Sequence, residues 1–217
     1  TQRLRTSGHI EDLLVDKSGG LWCLGTPLGI LHFESSEDAF STDPQHIEHD
    51  ENGKLINPMC ITCTSEGAIV VGGYAGLFHW NGAAFRRIAM VPNSIFHICC
   101  DRMGVYWMAR WRLPGLIRFD GKDASSYHQS DGLPSDYIRW IREGDDGRLW
   151  IGTIGGGVSC ISAKDIDNMA TAPRFDTMPF NDEFKSIWIT RLFQDDVGRW
   201  WISTLTGGVY CYDGTNI

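Results

Sequence analysis

The sequence predicts an all-β fold, a β-propeller of five four-stranded blades. Three observations predict it: a glycine-led run that recurs five times, apolar residues at fixed offsets from a turn glycine, and the lack of any sustained helical period. Gly29, Gly76, Gly115, Gly157 and Gly208 each lead a short apolar run, at intervals of 47, 39, 42 and 51 residues. A second set, Gly19, Gly67, Gly104, Gly147 and Gly198, sits in a turn, and three residues later come Trp22, Val70, Trp107, Trp150 and Trp201. Six residues before those turn glycines stand Leu13, Ile61, Ile98, Ile141 and Leu192. Nine before stand Ile10, Pro58, Ile95, Ile138 and Ile189. The third-strand glycines and the aliphatic offsets agree independently on five copies. Four short antiparallel strands per repeat of about 40–50 residues is the pattern of propeller blades. One blade cannot bury both of its faces, so blades stack, and a tryptophan on each second strand suits the gap between sheets.

The 217 residues read as one domain with repeats at 6–50, 51–90, 91–130, 131–180 and 181–217. Repeat one supplies strands at 10–16, 21–25 and 29–33, with an irregular fourth strand expected around Phe40 in an acidic loop. Repeat two supplies 59–64, 68–72 and 76–80, and its Asn81-Gly82 turn leads into a fourth strand at 84–88. Repeat three supplies 95–101, 105–109, 115–119 and 125–128. Repeat four is the clearest copy, with a strand on each side of the Asp145-Asp146-Gly147 turn and a fourth strand expected at 174–178. Repeat five supplies 187–194, 199–203 and 208–212; Ile187, Trp188 and Ile189 favour strand over a helical turn. The sequence stops where a further strand is due, and residues 1–5 are a spare strand-length segment. Pairing 1–5 with 208–212 would close the ring and remove two exposed edges. The alternative is a piece of a longer array, and the missing initiator Met suits a trimmed chain.

Composition narrows the function. Glycine (25) and tryptophan (9) are abundant and the net charge is −8, so nucleic acid and anionic membrane are poor partners. No apolar run approaches the ~20 residues of a membrane-spanning helix. Seven cysteines leave at least one unpaired within the chain. Most fall in predicted strands, where they read as small apolar residues. Cys60-x-x-Cys63 has a redox or metal spacing but no second ligand pair, so neither a metal nor another cofactor is expected.

Asp131-Gly132-Leu133-Pro134-Ser135, Leu149-Trp150-Ile151-Gly152-Thr153 and Gly156-Gly157 closely resemble the two-component regulator propeller repeat. Trp201-Ile202-Ser203-Thr204 with Gly207-Gly208, and Leu21-Trp22 with Gly25-Thr26, resemble it too, while repeats two and three match weakly. The resemblance implies a sensor propeller of a hybrid histidine kinase, periplasmic or extracellular, that binds glycan fragments without chemistry. A kinase or other signalling region would then lie in a longer parent chain. Family propellers are usually larger, and the free cysteines sit awkwardly with an oxidising compartment. The matching residues are turn and packing positions, which speak for fold more than function.

Ligands of propellers usually lie on the axis at one face, near the loops before the first strand and between the second and third. Arg110-Trp111-Arg112 occupies one such loop, a stacking ring between two guanidinium forks suited to hydroxyls or a carboxylate. The plain alternative is a loop folded back on its neighbour. Tyr74 holds the same place in repeat two. Leading into the first strand stand His9, Asn57, Ser94, Tyr137 and Trp188, and three residues on come Asp12, Cys60, His97, Trp140 and Arg191. The expected contact residues are Arg110, Trp111, Arg112, Tyr74, Tyr137 and Trp188, with His97 and Arg191 on the channel wall. A small polar ligand or oligosaccharide is the expected partner. A second reading is a lyase or hydrolase with His97 as general base, and a third is a protein-interaction scaffold. No nucleophile elbow, zinc-protease motif or phosphate loop is present.

Overall fold

The computed structural model describes all residues except 1–8, 27–28, 37–38, 41–44, 90–93, 111 and 169–172. The chain forms two compact units, Thr1–Ile98 and Cys99–Ile217. In the first unit, β1 (His9–Val15), β2 (Leu21–Thr26) and β3 (Gly29–Phe33) pair in order. The short strands β4 (Ser35–Ser36) and β5 (Ala39–Phe40) pair only with each other, and β6 (Gln45–Ile47) completes the first blade against β3. The fourth strand therefore falls later than expected. The reason is Ile47, which pairs with Ile30 and is buried between blades, whereas the Phe40 backbone turns back onto Ser35.

The second blade is β7 (Pro58–Cys63), β8 (Ile69–Gly73), β9 (Gly76–Trp80) and β10 (Phe85–Ala89). The expected Asn81 turn joins its last two strands, with the Asn81 side-chain oxygen accepting from the N–H groups of Ala83 and Ala84. Trp22, Leu24, Ile30 and Ile47 of the first blade form one core with Ile61, Ile69, Val71 and Phe78 of the second. The third blade is β11 (Ile95–Cys100), β12 (Tyr106–Arg110), β13 (Leu116–Phe119) and β14 (Ala124–Tyr127), and the boundary between the units falls within β11.

In the second unit, β15 (Ile138–Glu143), β16 (Leu149–Gly156), β17 (Val158–Ile161) and β18 (Phe175–Thr177) make the fourth blade. A single helical turn, α1 (Ala163–Asp167), capped by the Ser162 side chain, bridges its last two strands. The fifth blade is β19 (Lys185–Gln194), β20 (Trp200–Thr204) and β21 (Val209–Tyr212). No fourth strand follows Tyr212 among the described residues, and a partner strand from residues 1–5 lies outside them. Strand β16 runs past Thr153 far enough to pair with β19, at Ile154 with Trp188 and Gly156 with Lys185. Two cores repeat the stacking of the first unit. Trp107, Ala109 and Leu116 meet Ile138, Ile141 and Leu149; Trp150 and Val158 meet Ile189, Leu192 and Trp200.

Both marker sets of glycine have a physical cause. Gly19, Gly67, Gly104, Gly147 and Gly198, like Gly29, Gly76, Gly115, Gly157 and Gly208, all have φ between 67° and 117°, where a Cβ is strained. The turn also carries a side-chain latch. Asp16, Asp101 and Asp195 each accept from the indole N–H of the second-strand tryptophan, at 2.7, 2.8 and 2.9 Å. Where Val70 replaces the tryptophan, Thr64 replaces the aspartate and caps the turn through Ala68 N–H.

Candidate functional site

A recurring irregularity shapes the loop end of the blades. The pairing of first and second strands slips between Ile10 and Asp12, Pro58 and Cys60, Ile138 and Trp140, and Ile189 and Arg191. The extra residues are Glu11, Met59, Arg139 and Thr190. A bulge re-aims its side chain and is common beside functional sites. In the first unit, Glu11 and Met59 both line a cleft of about 650 Å³, together with Gly25, Gly29, Glu48, Leu55, Asn57, Pro58 and Tyr74. Its volume falls in the range of small-ligand sites. Apolar surface dominates the walls, and polar groups are few: two carboxylates, one amide and one phenol.

The backbone of the cleft is built tightly. Asn57 has φ of 47°, and its carbonyl accepts from the N–H of Tyr74 at 3.3 Å. A Cβ on Gly73 would meet that same carbonyl at 2.2 Å, so the loop approaches the first strand only because position 73 is glycine. This bond fixes where Tyr74 leaves the sheet, and its ring is half-exposed on the cleft wall. Glu48 carries an ion pair with His46 at 3.4 Å when the imidazole is protonated.

The other expected contact residues fall elsewhere. His97 is buried on β11 and does not line this cleft. Arg110 turns back on its own loop, with Nη2 donating to Pro114 O at 2.6 Å, and Arg112 sits at φ 55°. Trp111 lies outside the described residues. In the second unit Tyr137 and Trp188 are both half-exposed and flank Ile154, whose N–H donates to Tyr137 O at 2.9 Å and which pairs with Trp188. Arg191 lies over the Trp140 ring at 4.8 Å. Burial and the neighbouring Arg191 charge lower the pKa of the bulged Arg139 from its ordinary value.

The expected entry positions thus serve the backbone as well: the carbonyls of Asn57, Tyr137 and Trp188 accept from the N–H groups of Tyr74, Ile154 and Leu205, each four residues after Val70, Trp150 and Trp201. The bulge offset, eight residues before the turn glycine, escaped the sequence reading. Its only sequence signal is a chemically mixed column, which alternation alone cannot separate from its neighbours.

Among the described residues no group of three or more His, Cys, Asp or Glu side chains is arranged to hold a metal. None of the seven cysteines is joined in a disulfide. Burial pushes the Cys99 thiol up to about 12 and Cys60 well above its usual value, so neither is a reactive thiolate at neutral pH. The Cys60 thiol rests against the carbonyls of Gly72 and Ile95, away from any pairing with Cys63. Among the described residues no helix is long and apolar enough to cross a membrane.

Against this geometry, comparison with known proteins gives a consistent class. Residues 132–155 match the two component regulator propeller family, within the stretch on which the sequence resemblance was strongest. No curated protein matches the chain. The chain is similar to the extracellular domain assigned to hybrid two component system BT3049 of B. thetaiotaomicron, with a TM-score of 0.72 and 19% identity over 98% of this chain and 29% of that one. It is similar to the corresponding domain of BT4673 from the same organism, at 0.72 and 16% over 99% and 28%. It is also similar to catalytically inactive virginiamycin B lyase of Staphylococcus aureus with quinupristin, at 0.65 and 14% over 96% and 71%. The fold is a β-propeller, and the matched residues lie in its fourth blade. The chain spans less than a third of the two sensor domains it resembles.

Proposed function

We propose that this chain is the ligand-binding propeller of an extracellular sensor, holding a neutral glycan or similar small polar molecule in the Tyr74 cleft without chemistry. The observation that carries this reading is the convergence of the bulged Glu11 and Met59 with Tyr74 on one cleft of about 650 Å³. Tyr74 offers a ring for a sugar face, and Glu11, Glu48 and Asn57 offer acceptors and an amide for hydroxyls. Among the described residues neither lysine nor arginine lines the cleft. The two carboxylates on the wall, Glu11 and Glu48, disfavour an anionic sugar by like-charge repulsion. The similarity to two component sensor domains supports the sensory role and an extracellular setting. The signalling region, a kinase or its equivalent, would lie in a longer parent chain.

Calorimetric titration of neutral and uronic-acid oligosaccharides tests the proposal. Binding heat is expected from a neutral sugar, with affinity at least about tenfold weaker, roughly 1.4 kcal/mol, in Tyr74→Ala. Silence across the panel removes the proposal. Turnover of a bound sugar replaces it with the lyase reading, for which His97→Ala is the control.

A further inference from the structure

Two Asn-Gly pairs lie in exposed turns of the first unit, Asn52-Gly53 and Asn81-Gly82. In such a pair the glycine amide reaches the asparagine side chain easily, because no Cβ stands in the way. The two turns treat that amide differently. At the first, the Gly53 N–H donates to Asp50 O at 2.9 Å, and the Asp50 carboxylate accepts from the N–H groups of Asn52 and Lys54, at 2.9 Å each. At the second, among the described residues no acceptor takes the Gly82 N–H. Asn81 Oδ1 instead accepts from the N–H groups of Ala83 and Ala84, at 3.0 and 2.9 Å. Those two donors polarise the side-chain carbonyl and stand ready to stabilise an oxyanion formed on it. Other asparagines are protected. Asn57 precedes Pro58, which has no N–H, and Asn181 is buried with Nδ2 donating to Gly156 O and Val158 O at 3.2 and 2.7 Å.

We propose that Asn81 is a site of spontaneous covalent modification, deamidating through a cyclic imide ahead of Asn52. The Gly82 amide gives up its proton to a base in solvent, and its nitrogen attacks Asn81 Cγ. A bond forms between Gly82 N and Cγ, the bond from Cγ to Nδ2 breaks, and Nδ2 leaves as ammonia with a proton taken back from solvent. Water then opens the imide at either carbonyl, leaving an aspartyl or an isoaspartyl residue. The step needs water alone, with no oxidant, reductant or enzyme. The aspartyl product suits the fold, because the third blade already builds this turn from Asp120-Gly121, where Asp120 Oδ1 accepts from Lys122 and Asp123 N–H at 3.1 and 2.8 Å. The isoaspartyl product inserts a methylene into the main chain between Trp80 and Phe85, which pair across β9 and β10. Phe85 is fully buried in the core that the first two blades share, so this product loosens the first unit.

The test ages the folded 217-residue chain in mildly alkaline buffer and follows both turns by peptide mass spectrometry. Conversion at Asn81 should run about fivefold faster than at Asn52, since a hydrogen bond must first break at Gly53. It should give both isomers and quicken as pH rises, as attack by a deprotonated amide requires. In the urea-unfolded chain the two rates should converge. Asn81→Ser keeps a side-chain oxygen for Ala83 and Ala84 but has no amide to lose. Its turn should stay unchanged on ageing, and the fall in thermal midpoint expected of aged wild type should be absent. No conversion at Asn81 in the folded chain overturns the proposal, as does Asn52 reacting at least as fast. A preference that survives unfolding assigns the difference to the sequence and overturns the structural selection. Aged wild type rich in isoaspartate but with its midpoint unmoved overturns the loosening.

Discussion

The third and fourth blades solve the same packing problem with opposite chemistry at one position. In the third, Asp101 is wholly buried and saturated: it accepts from Met103 and Val105 N–H and from the Trp107 indole. In the fourth, that position is Gly144, and among the described residues the buried Trp150 Nε1 finds no hydrogen-bond partner. The missing acceptor has a steric cause. Trp200 of the next blade lies where a side chain would go, so that a Cβ on Gly144 would stand 2.8 Å from its ring. The two indoles lie tilted against each other with centroids 4.5 Å apart, and the Arg148 guanidinium covers Trp150 at 5.1 Å. The blade gives up a polar latch and gains aromatic contact. A repeat therefore constrains the sum of contacts at a junction more than the residue at any one column.

Asp101→Ala should break the comparison most severely. It strands the Val105 N–H and the Trp107 indole N–H in the core, and unmet buried donors cost about 1–3 kcal/mol each before relaxation. A net loss of about 3 kcal/mol is expected, read from the urea midpoint at constant slope. A loss under about 1 kcal/mol would mean that the latch is ornamental and that the third blade rests on its aliphatic contacts alone.

Gly144→Asp is the complementary exchange and should cost less, about 1–3 kcal/mol, as overpacking does. It supplies the acceptor that Trp150 lacks, but in space that Trp200 holds. Trp200→Leu installs the residue type that Leu21 and Leu149 show at the same offset in other blades. If the two solutions are true alternatives, the double variant is more stable than the sum of its parts by about 1 kcal/mol in a double-mutant cycle. Strict additivity would refute the trade.

How much of this could be read from the sequence depends on what the backbone forces. Both glycine columns were legible because left-handed φ allows little else, and they set the five repeats. The aliphatic columns were legible because each stacked sheet needs them. The fourth strand of the first blade was misplaced because Phe40 and Ile47 offer equal apolar signals, and only pairing with Ile30 decides between them. The cleft was half-legible: Tyr74 stood out in its loop, while Glu11 and Met59 did not, since which residue of a strand is extra depends on its partner.

The fifth blade provides the mildest test, a latch open to water. Burial pushes the Asp195 carboxyl up, but the Trp201 indole, the Arg199 backbone and guanidinium and the Val197 N–H outweigh it and hold the pKa at about 2, below the ordinary 3.8. The sign follows from linkage: a depressed carboxylate pKa adds stability that is complete above 3.8 and vanishes as pH falls through about 2. Asp195→Asn should therefore lower the thermal midpoint slightly at pH 5 and converge with wild type near pH 2. Added salt should shrink the gap, since the Arg199 pair is exposed and screened. Trp201 fluorescence reports the same latch locally, and its acid transition should vanish in the variant. If the two proteins differ by the same amount at both pH values, the carboxylate charge plays no part and the exposed latch is a shape constraint only.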